Sequence, residues 1–372
     1  MFLLVASSGW AAAPIRVLIF QDAARIELSG NSAIGVELPN GEKLSMTPPL
    51  SITRGGSGLR INGHRLGVER AIFRGRKANL HVRDLSNTVV VSGDVRVLDD
   101  GKALQVVNDL DLEEYVKGVV PSEMNAGWHP EALKVQAVAA RTYAVHQRMM
   151  NSAREYDLVA STQDQVYRGR QGVDRRIQQA VETTRGLILT HQDTPIFAAF
   201  SSTAAGPTED ASNVWAKELP YLKGVECPFD GNSPYYQWQT KLQFMDLEAM
   251  FKRQGILIGN ISAVSIFSRS RAGRVTRLRV THSDGDLVVR GEEFRRLVGY
   301  LTIPSTQFEL GTKVDEIVLT GRGAGHAVGL CQWGAKELAE RGYSYDSILH
   351  YYFPSTDLKD VRLIELTSIG LP

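Results

Sequence analysis

Cysteine is almost absent from this 372-residue chain, which has only Cys227 and Cys331. Neither has a second ligand at metal-ligand spacing, and a zinc site takes four donors, so the sequence predicts no metal centre and no cofactor. A disulfide in an oxidising compartment stays open, because spacing alone does not bring two cysteines together. Charge of one sign is lacking too. The formal net charge is +1, and the Lys and Arg residues are scattered, which excludes a strong pull towards nucleic acid. No apolar run reaches membrane-spanning length, so no integral membrane segment is expected. The zinc-finger spacings and the Walker phosphate loop are missing, as are internal repeats and low-complexity stretches. What is there is ordinary globular composition, 43% hydrophobic and 22% charged. That suffices for one large domain or two to three smaller ones.

The first residues, Met1 to Ala13, form a short apolar run ending in small side chains, with Ala11 and Ala13 in an A-x-A arrangement. This reads as a secretory signal without a basic start, and it predicts an extracytoplasmic protein, in the periplasm or at the cell surface. From residue 14 to 104 the chain alternates short apolar runs with turns, the pattern of a β-rich module. Strands are expected at Arg16 to Phe20, Arg25 to Leu28, Ile34 to Leu38, Leu59 to Asn62, Asn79 to Val82 and Val89 to Val91. Asp100-Gly101 between Val95–Leu98 and Ala103–Val107 predicts a hairpin.

Helical signals then take over. Asp111-Leu112-Glu113-Glu114 matches a capping box, with a short helix expected to Lys117 and Gly118 ending it. Pro130 suits the first turn of a second helix running to about Met150. On it Leu133, Ala137, Ala140 and Ala144 make one face of small apolar residues. Another helix is expected near Asp174 to Thr184, and buried strands at Leu187–Leu189 and Ile196–Phe200. Residues 240 to 305 read as a small inserted α/β lobe, with strands at Ile261–Ser268, Val275–His282 and Leu287–Arg290. The fold class is therefore α+β, with a domain over 105–355 and a tail over 356–372.

Between the first two helices lies Gly118-Val119-Val120-Pro121-Ser122-Glu123-Met124. This reads as a loop that sets one carboxylate, Glu123, against the start of a buried helix. Desolvation disfavours the charged form of such a group, and a carboxyl held protonated near neutral pH is what a general acid needs. The plainer reading is a carboxylate placed to favour a helix N-terminus.

Leu112–Tyr115 through Pro121–Met124 and Trp128–Ala144 closely resembles the SpoIID/LytB family of peptidoglycan-acting proteins. Three further blocks match in order: Thr162–Tyr167, Phe200–Asp210 with Asn213–Trp215, and Gly325–Ala335. The resemblance implies a lytic transglycosylase acting on glycan strands stripped of stem peptides, with the catalytic acid on Glu123. Some members are described as stimulating a cell-wall amidase instead, which makes such an amidase a second partner beside the glycan. One acid suffices for the lytic reaction, because the C6 hydroxyl of N-acetylmuramic acid attacks its own anomeric carbon at high effective molarity.

Candidates for sugar contact are Arg141, Gln136, Gln165, Tyr167, Ser201, Ser202, His326 and Gln332. Amide and phenol groups both donate and accept, and Arg141 suits a carbonyl or developing negative charge, with an exposed helix arginine as the alternative. His326 has a glycan contact and a buried, satisfied ring as its two readings. Glycines around Gly325 let backbone approach a ligand. Some relatives bind zinc through Cys and His in the loop after residue 200. Here Ala204, Ala205 and Pro207 stand at those places, so that loop is expected to be held by packing. Glu209 and Asp210 are the candidates for a second carboxylate, should the outcome be hydrolysis. Cys331 with His326 or His350 is set aside as a peptidase pair, since no nucleophile motif surrounds it.

Overall fold

The computed structural model describes residues 13–56, 58–75 and 79–364. The candidate signal, except its last residue, lies outside them. The chain forms two compact units. One takes the chain to Phe197 and again from Leu358; the other is Ala198–Asp357. The expected boundary near 104 does not separate units, because the β-rich module and the helices that follow cluster together.

In the first unit two antiparallel-rich sheets form mostly from the chain before the helices, with Leu158–Val159 added after the second helix. The seven-stranded sheet runs in the order Leu158–Val159, Ile15–Ala23, Leu104–Leu110, Asp94–Asp99, Arg70–Gly75, Ile34–Glu37, Lys43–Met46. The six-stranded sheet runs Thr88–Val91, Leu80–Arg83, Arg25–Ser29, Leu50–Gly55, Gly58–Ile61, His64–Arg65. Every strand expected here forms, and the hairpin pairs Val97 with Val106 across its ladder. Lys43–Met46, Leu50–Gly55 and Arg70–Gly75 were not foreseen.

Helix α1 is Leu112–Glu123, α2 is Pro130–Met150 and α3 is Arg175–Thr183. Asp111 caps α1, its Oδ1 accepting from the Glu113 and Glu114 amides at 2.9 and 3.3 Å. Pro130 stands in the first turn of α2, where its missing N–H removes no helix bond. The small face of α2 is buried throughout, from Ala132 to Val145, and packs against α1, α3 and the strand Leu187–His191. Ile196–Phe200 does not form one strand: Phe200–Ser201 pairs with Leu330–Cys331, while the buried Ile196, Ala198 and Ala199 lie outside any named strand.

In the second unit α4 is Ala211–Trp215, α5 Phe244–Arg253, α6 Gly291–Val298, α7 Gln332–Glu340 and α8 Tyr345–Tyr352. Residues 238–321 hold a region of two three-stranded sheets with α5 and α6. Its order is Trp238–Gln243, Glu316–Gly321, Phe308–Thr312 in one sheet, and Ile261–Arg269, Val275–His282, Gly285–Arg290 in the other. Its core joins Leu247, Phe251, Leu278 and Phe294 to Phe308, Ile317 and Leu319, so it extends past residue 305. Among the described residues no helix is long and apolar enough to cross a membrane.

Candidate functional site

Helix α1 does not stop at Gly118. It continues through Gly118 and Pro121 to end on Glu123. Glycine is required inside it, since a Cβ at Gly118 would lie 2.5 Å from both the Gly169 carbonyl oxygen and the Tyr167 ring. The gap left by the missing side chain is where Tyr167 enters. Pro121, near the end of the helix, lacks the amide for one helix bond and its ring crowds the carbonyl four residues back. Glu123 is therefore the last residue of a helix rather than part of a loop before one. An acidic group at the carbonyl end of a helix gains nothing from the helix dipole, so helix-end stabilisation does not account for it.

Glu123 is half-buried, and its Oε1 accepts from the Val166 amide at 3.1 Å. Val166 belongs to the Thr162–Tyr167 block, and a set of phenols holds that block still. The Tyr115 hydroxyl donates to Gln165 Oε1 at 2.9 Å. Tyr167 stacks on Tyr115 with ring centroids 5.4 Å apart and donates to Asn108 Oδ1 at 2.9 Å. Tyr143 donates to Asp164 Oδ1 at 2.8 Å, while Asp164 Oδ2 accepts from the Val159 amide at 2.8 Å. Burial pushes all three phenols above their ordinary range, so they act as neutral donors. Tyr115, Tyr143 and Asp164 lie inside the family blocks and Asn108 outside them, and none was given a role, because their side-chain partners lie 50, 21 and 59 residues away.

The expected sugar contacts of this unit are placed otherwise. Arg141 is fully buried and binds the buried Glu113 carboxylate, Nε to Oε1 at 3.0 Å and Nη2 to Oε2 at 2.7 Å. Its remaining donors reach the Leu187 and Val181 carbonyls, and the Gly186 amide completes Glu113 at 3.1 Å. Arg141 is a structural tie between helices and strand, not an arm towards substrate. Gln136, Gln165 and Tyr167 are buried as well, Gln136 because it lies on the packed face of α2. Gln165 and Tyr167 flank Val166, whose amide meets Glu123.

In the second unit Ser201 is buried and its Oγ accepts from the Ala327 amide at 3.1 Å. Ser202 and His326 are half-buried; Gln332 is buried as the first residue of α7. His326 Nδ1 accepts from the Val328 amide at 3.0 Å, and the Trp215 ring lies edge-on at 4.8 Å. Its pKa is pushed down to about 3, by desolvation first, then by the charge of Arg295, with a bond to the Phe200 backbone opposing and Arg274 adding to the fall. The ring is neutral with its proton on Nε2. The glycines here let the chain close on itself, and a Cβ at Gly325 would meet the Ser201 Cβ at 2.4 Å. A Cβ at Gly323 would meet the Thr203 carbonyl oxygen at 2.7 Å, and one at Gly329 the Ala199 oxygen at 2.3 Å.

Glu209 and Asp210 do not stand ready as catalytic carboxylates. Glu209 is buried and accepts from the Asp210 amide, Asn213 Nδ2 and Ser270 Oγ. Asp210 caps α4 through the Ser212 amide at 2.8 Å. The loop after residue 200 is also not held by packing alone: the Ala204 amide donates to Cys331 Sγ at 3.3 Å and the Ala205 amide to Asp230 Oδ2 at 2.7 Å.

Comparison with known proteins places these blocks. The family model described as stage II sporulation protein, SpoIID, matches residues 100–191, and one described as a domain of unknown function matches 227–329. Stage II sporulation protein D of Bacillus subtilis (strain 168) is 36% identical over 273 residues, covering 69% of this chain and 77% of that protein. An uncharacterized protein of Brachyspira hyodysenteriae is 33% identical over 279 residues, covering 75% and 74%. The amidase enhancer of Bacillus subtilis is 27% identical, covering 89% of this chain and 53% of its own length.

Proposed function

Because the chain belongs to the SpoIID/LytB family, we propose that it is a cell-wall protein, exported by its N-terminal signal, that cleaves peptidoglycan glycan strands as a lytic transglycosylase. Glu123 is the acid and then the base. Its carboxyl proton passes to the bridging glycosidic oxygen as the bond from that oxygen to the anomeric carbon breaks. The C6 hydroxyl oxygen of the same muramic sugar bonds to that carbon, and its proton passes to the Glu123 carboxylate. No water is consumed, and the product ends in an anhydro sugar. The observation that carries the reading is the bond from the Val166 amide to Glu123 Oε1 at 3.1 Å. It fixes a carboxylate that no helix-end effect explains, and catalytic groups have to be held in place to be effective. Ser202 and His326, half-buried in the second unit, remain the candidates for glycan contact.

A second reading is a glycan-binding activator of a cell-wall amidase that cuts nothing itself. It is favoured by the similarity to an amidase enhancer over 89% of this chain, and by the burial of Arg141, Gln136, Gln165 and Tyr167. Mass spectrometry of denuded glycan incubated with the protein separates the two. Anhydromuramyl ends from wild type, and none from Glu123→Gln, support the lyase. Intact glycan with wild type, together with stimulation of an amidase by both forms, supports the activator. Hydrated reducing ends sink the lytic step.

A further inference from the structure

The two cysteines of this chain lie 104 residues apart in sequence, yet the fold of the second unit brings them to one point with a third donor. Cys227 Sγ, Cys331 Sγ and a carboxylate oxygen of Asp230 all lie within 4.8 Å of one another, and all three residues are buried. Cys227 and Asp230 flank a turn over Pro228 and Phe229. Cys331 is the cap residue of α7. Both cysteines are free thiols.

We propose that Cys227, Asp230 and Cys331 form a binding site for one thiophilic divalent cation, zinc foremost, in the interior of the second unit. It uses none of the side chains of the loop after residue 200, and it is independent of the role of Glu123.

Four features of the surroundings support it. First, Asp230 Oδ1 is buried and has no hydrogen-bond partner among the described residues. A buried carboxylate oxygen left so is costly, and a cation supplies its missing partner. Second, Cys331 Sγ receives two backbone amides, Ala204 at 3.3 Å and Gly334 at 3.4 Å. The amides orient the sulfur and oppose the burial that pushes its thiol well above the ordinary range, leaving a cation to draw the proton off. Third, the glycine at 334 lets Cys227 and Tyr352 close on the start of α7 beside Cys331. A Cβ at Gly334 would fall 2.8 Å from Cys227 Sγ and 2.1 Å from the Tyr352 hydroxyl, and Tyr352 is itself 3.2 Å from Cys227 Sγ. Fourth, charge balances. Two thiolates and a carboxylate around a dication leave one negative charge. The Arg274 guanidinium is buried nearby, where it is bound to the Ala204 carbonyl, and its Nε and Nη1 lack partners among the described residues.

The binding step conserves charge in the same way. One dication enters and two thiol protons leave to solvent, so the buried cluster gains no net charge. Two sulfurs and one oxygen suit zinc, with the fourth position left to water. The cation ties the Cys227–Asp230 turn to the start of α7 and, through the Ala204 and Ala205 amides, to the loop after residue 200. Its effect is on the stability of the unit, since a ligand bound only by the folded state stabilises it.

The test uses the full chain, purified with its thiols reduced and without chelators. Elemental analysis is expected to give one zinc per chain. A chelator is expected to remove it and lower the melting temperature by several degrees, and added zinc to restore both. Cobalt in place of zinc is expected to give thiolate charge-transfer absorption. Asp230→Asn is expected to abolish zinc retention with circular dichroism unchanged; should that variant fail to fold, the wild-type removal and restoration decide alone. A Cys227–Cys331 disulfide in the unreduced peptide map of protein taken directly from its own compartment overturns the proposal. So does reduced protein that takes up no zinc, and so does full zinc content in folded Asp230→Asn.

Discussion

The Arg141 guanidinium and the Glu113 carboxylate meet in two parallel hydrogen bonds, 3.0 and 2.7 Å long, inside the first unit. The pair joins α2 to α1, and the Leu187 and Gly186 backbone to both. Removing one partner strands a buried charge, which costs about 3–5 kcal/mol. Arg141→Met is therefore expected to lower stability by that order in a urea titration. Glycan cleavage per folded molecule, read at low temperature, is expected to change little. A large loss of turnover with unchanged stability would return Arg141 to the substrate side.

Glu123→Gln keeps the shape of the side chain and an acceptor for the Val166 amide, while removing the transferable proton. General acid–base groups contribute about 10²–10⁴-fold. Release of anhydro products from denuded glycan is expected to fall by that factor, with the melting temperature held. Equal product from variant and wild type refutes Glu123 as the acid.

Gly118→Ala sets two effects against each other. Helix propensity favours alanine by about 1 kcal/mol. The added methyl, however, would sit 2.5 Å from the Gly169 oxygen and the Tyr167 ring, and overpacking of this kind costs about 1–3 kcal/mol. The carbonyl is fixed backbone, so the clash wins and thermal unfolding is expected to come earlier. Tyr167 moves with it, and so does the 162–167 block that presents Val166 to Glu123. Cleavage is expected to fall further than stability alone accounts for, a comparison of rates at matched folded fraction being the check.

His326 predicts a pH dependence whose sign is set by its depressed pKa. In the unfolded chain the ring binds a proton below about 6.5; in the folded protein it does so only near 3. Between those values the unfolded state holds the extra proton, so stability is lost as pH falls through that window. Wild type is expected to lose more melting temperature between pH 7 and pH 4.5 than His326→Asn, whose amide oxygen replaces Nδ1 as acceptor for Val328. Parallel curves for the two proteins would remove His326 from the account.

Periodicity carried much of the fold. The alternation in residues 14–104 was readable because each strand buries one face, and Asp100-Gly101 fixed a hairpin locally. The Ala-rich face of α2 was readable because small residues at helical spacing have few other uses. Gly118 misled, because a glycine in a helix looks like a stop until the ring that fills its vacancy is known. The same holds for Gly325, read as a ligand approach and found against the Ser201 side chain, and for Gly323 and Gly329, found against backbone carbonyls.

The linear order of residues settled the α+β class, the helix starts at Asp111 and Pro130, and the blocks that mark the family, all of which rest on interactions within a few positions. Tertiary folding alone decided which polar groups face inwards: that Arg141 closes on Glu113, that the Val166 amide finds Glu123, and that Cys227, Asp230 and Cys331 converge. The physical reason is that burial and hydrogen-bond pairing are properties of distance in space, and chain separation of tens of residues or more carries no record of it.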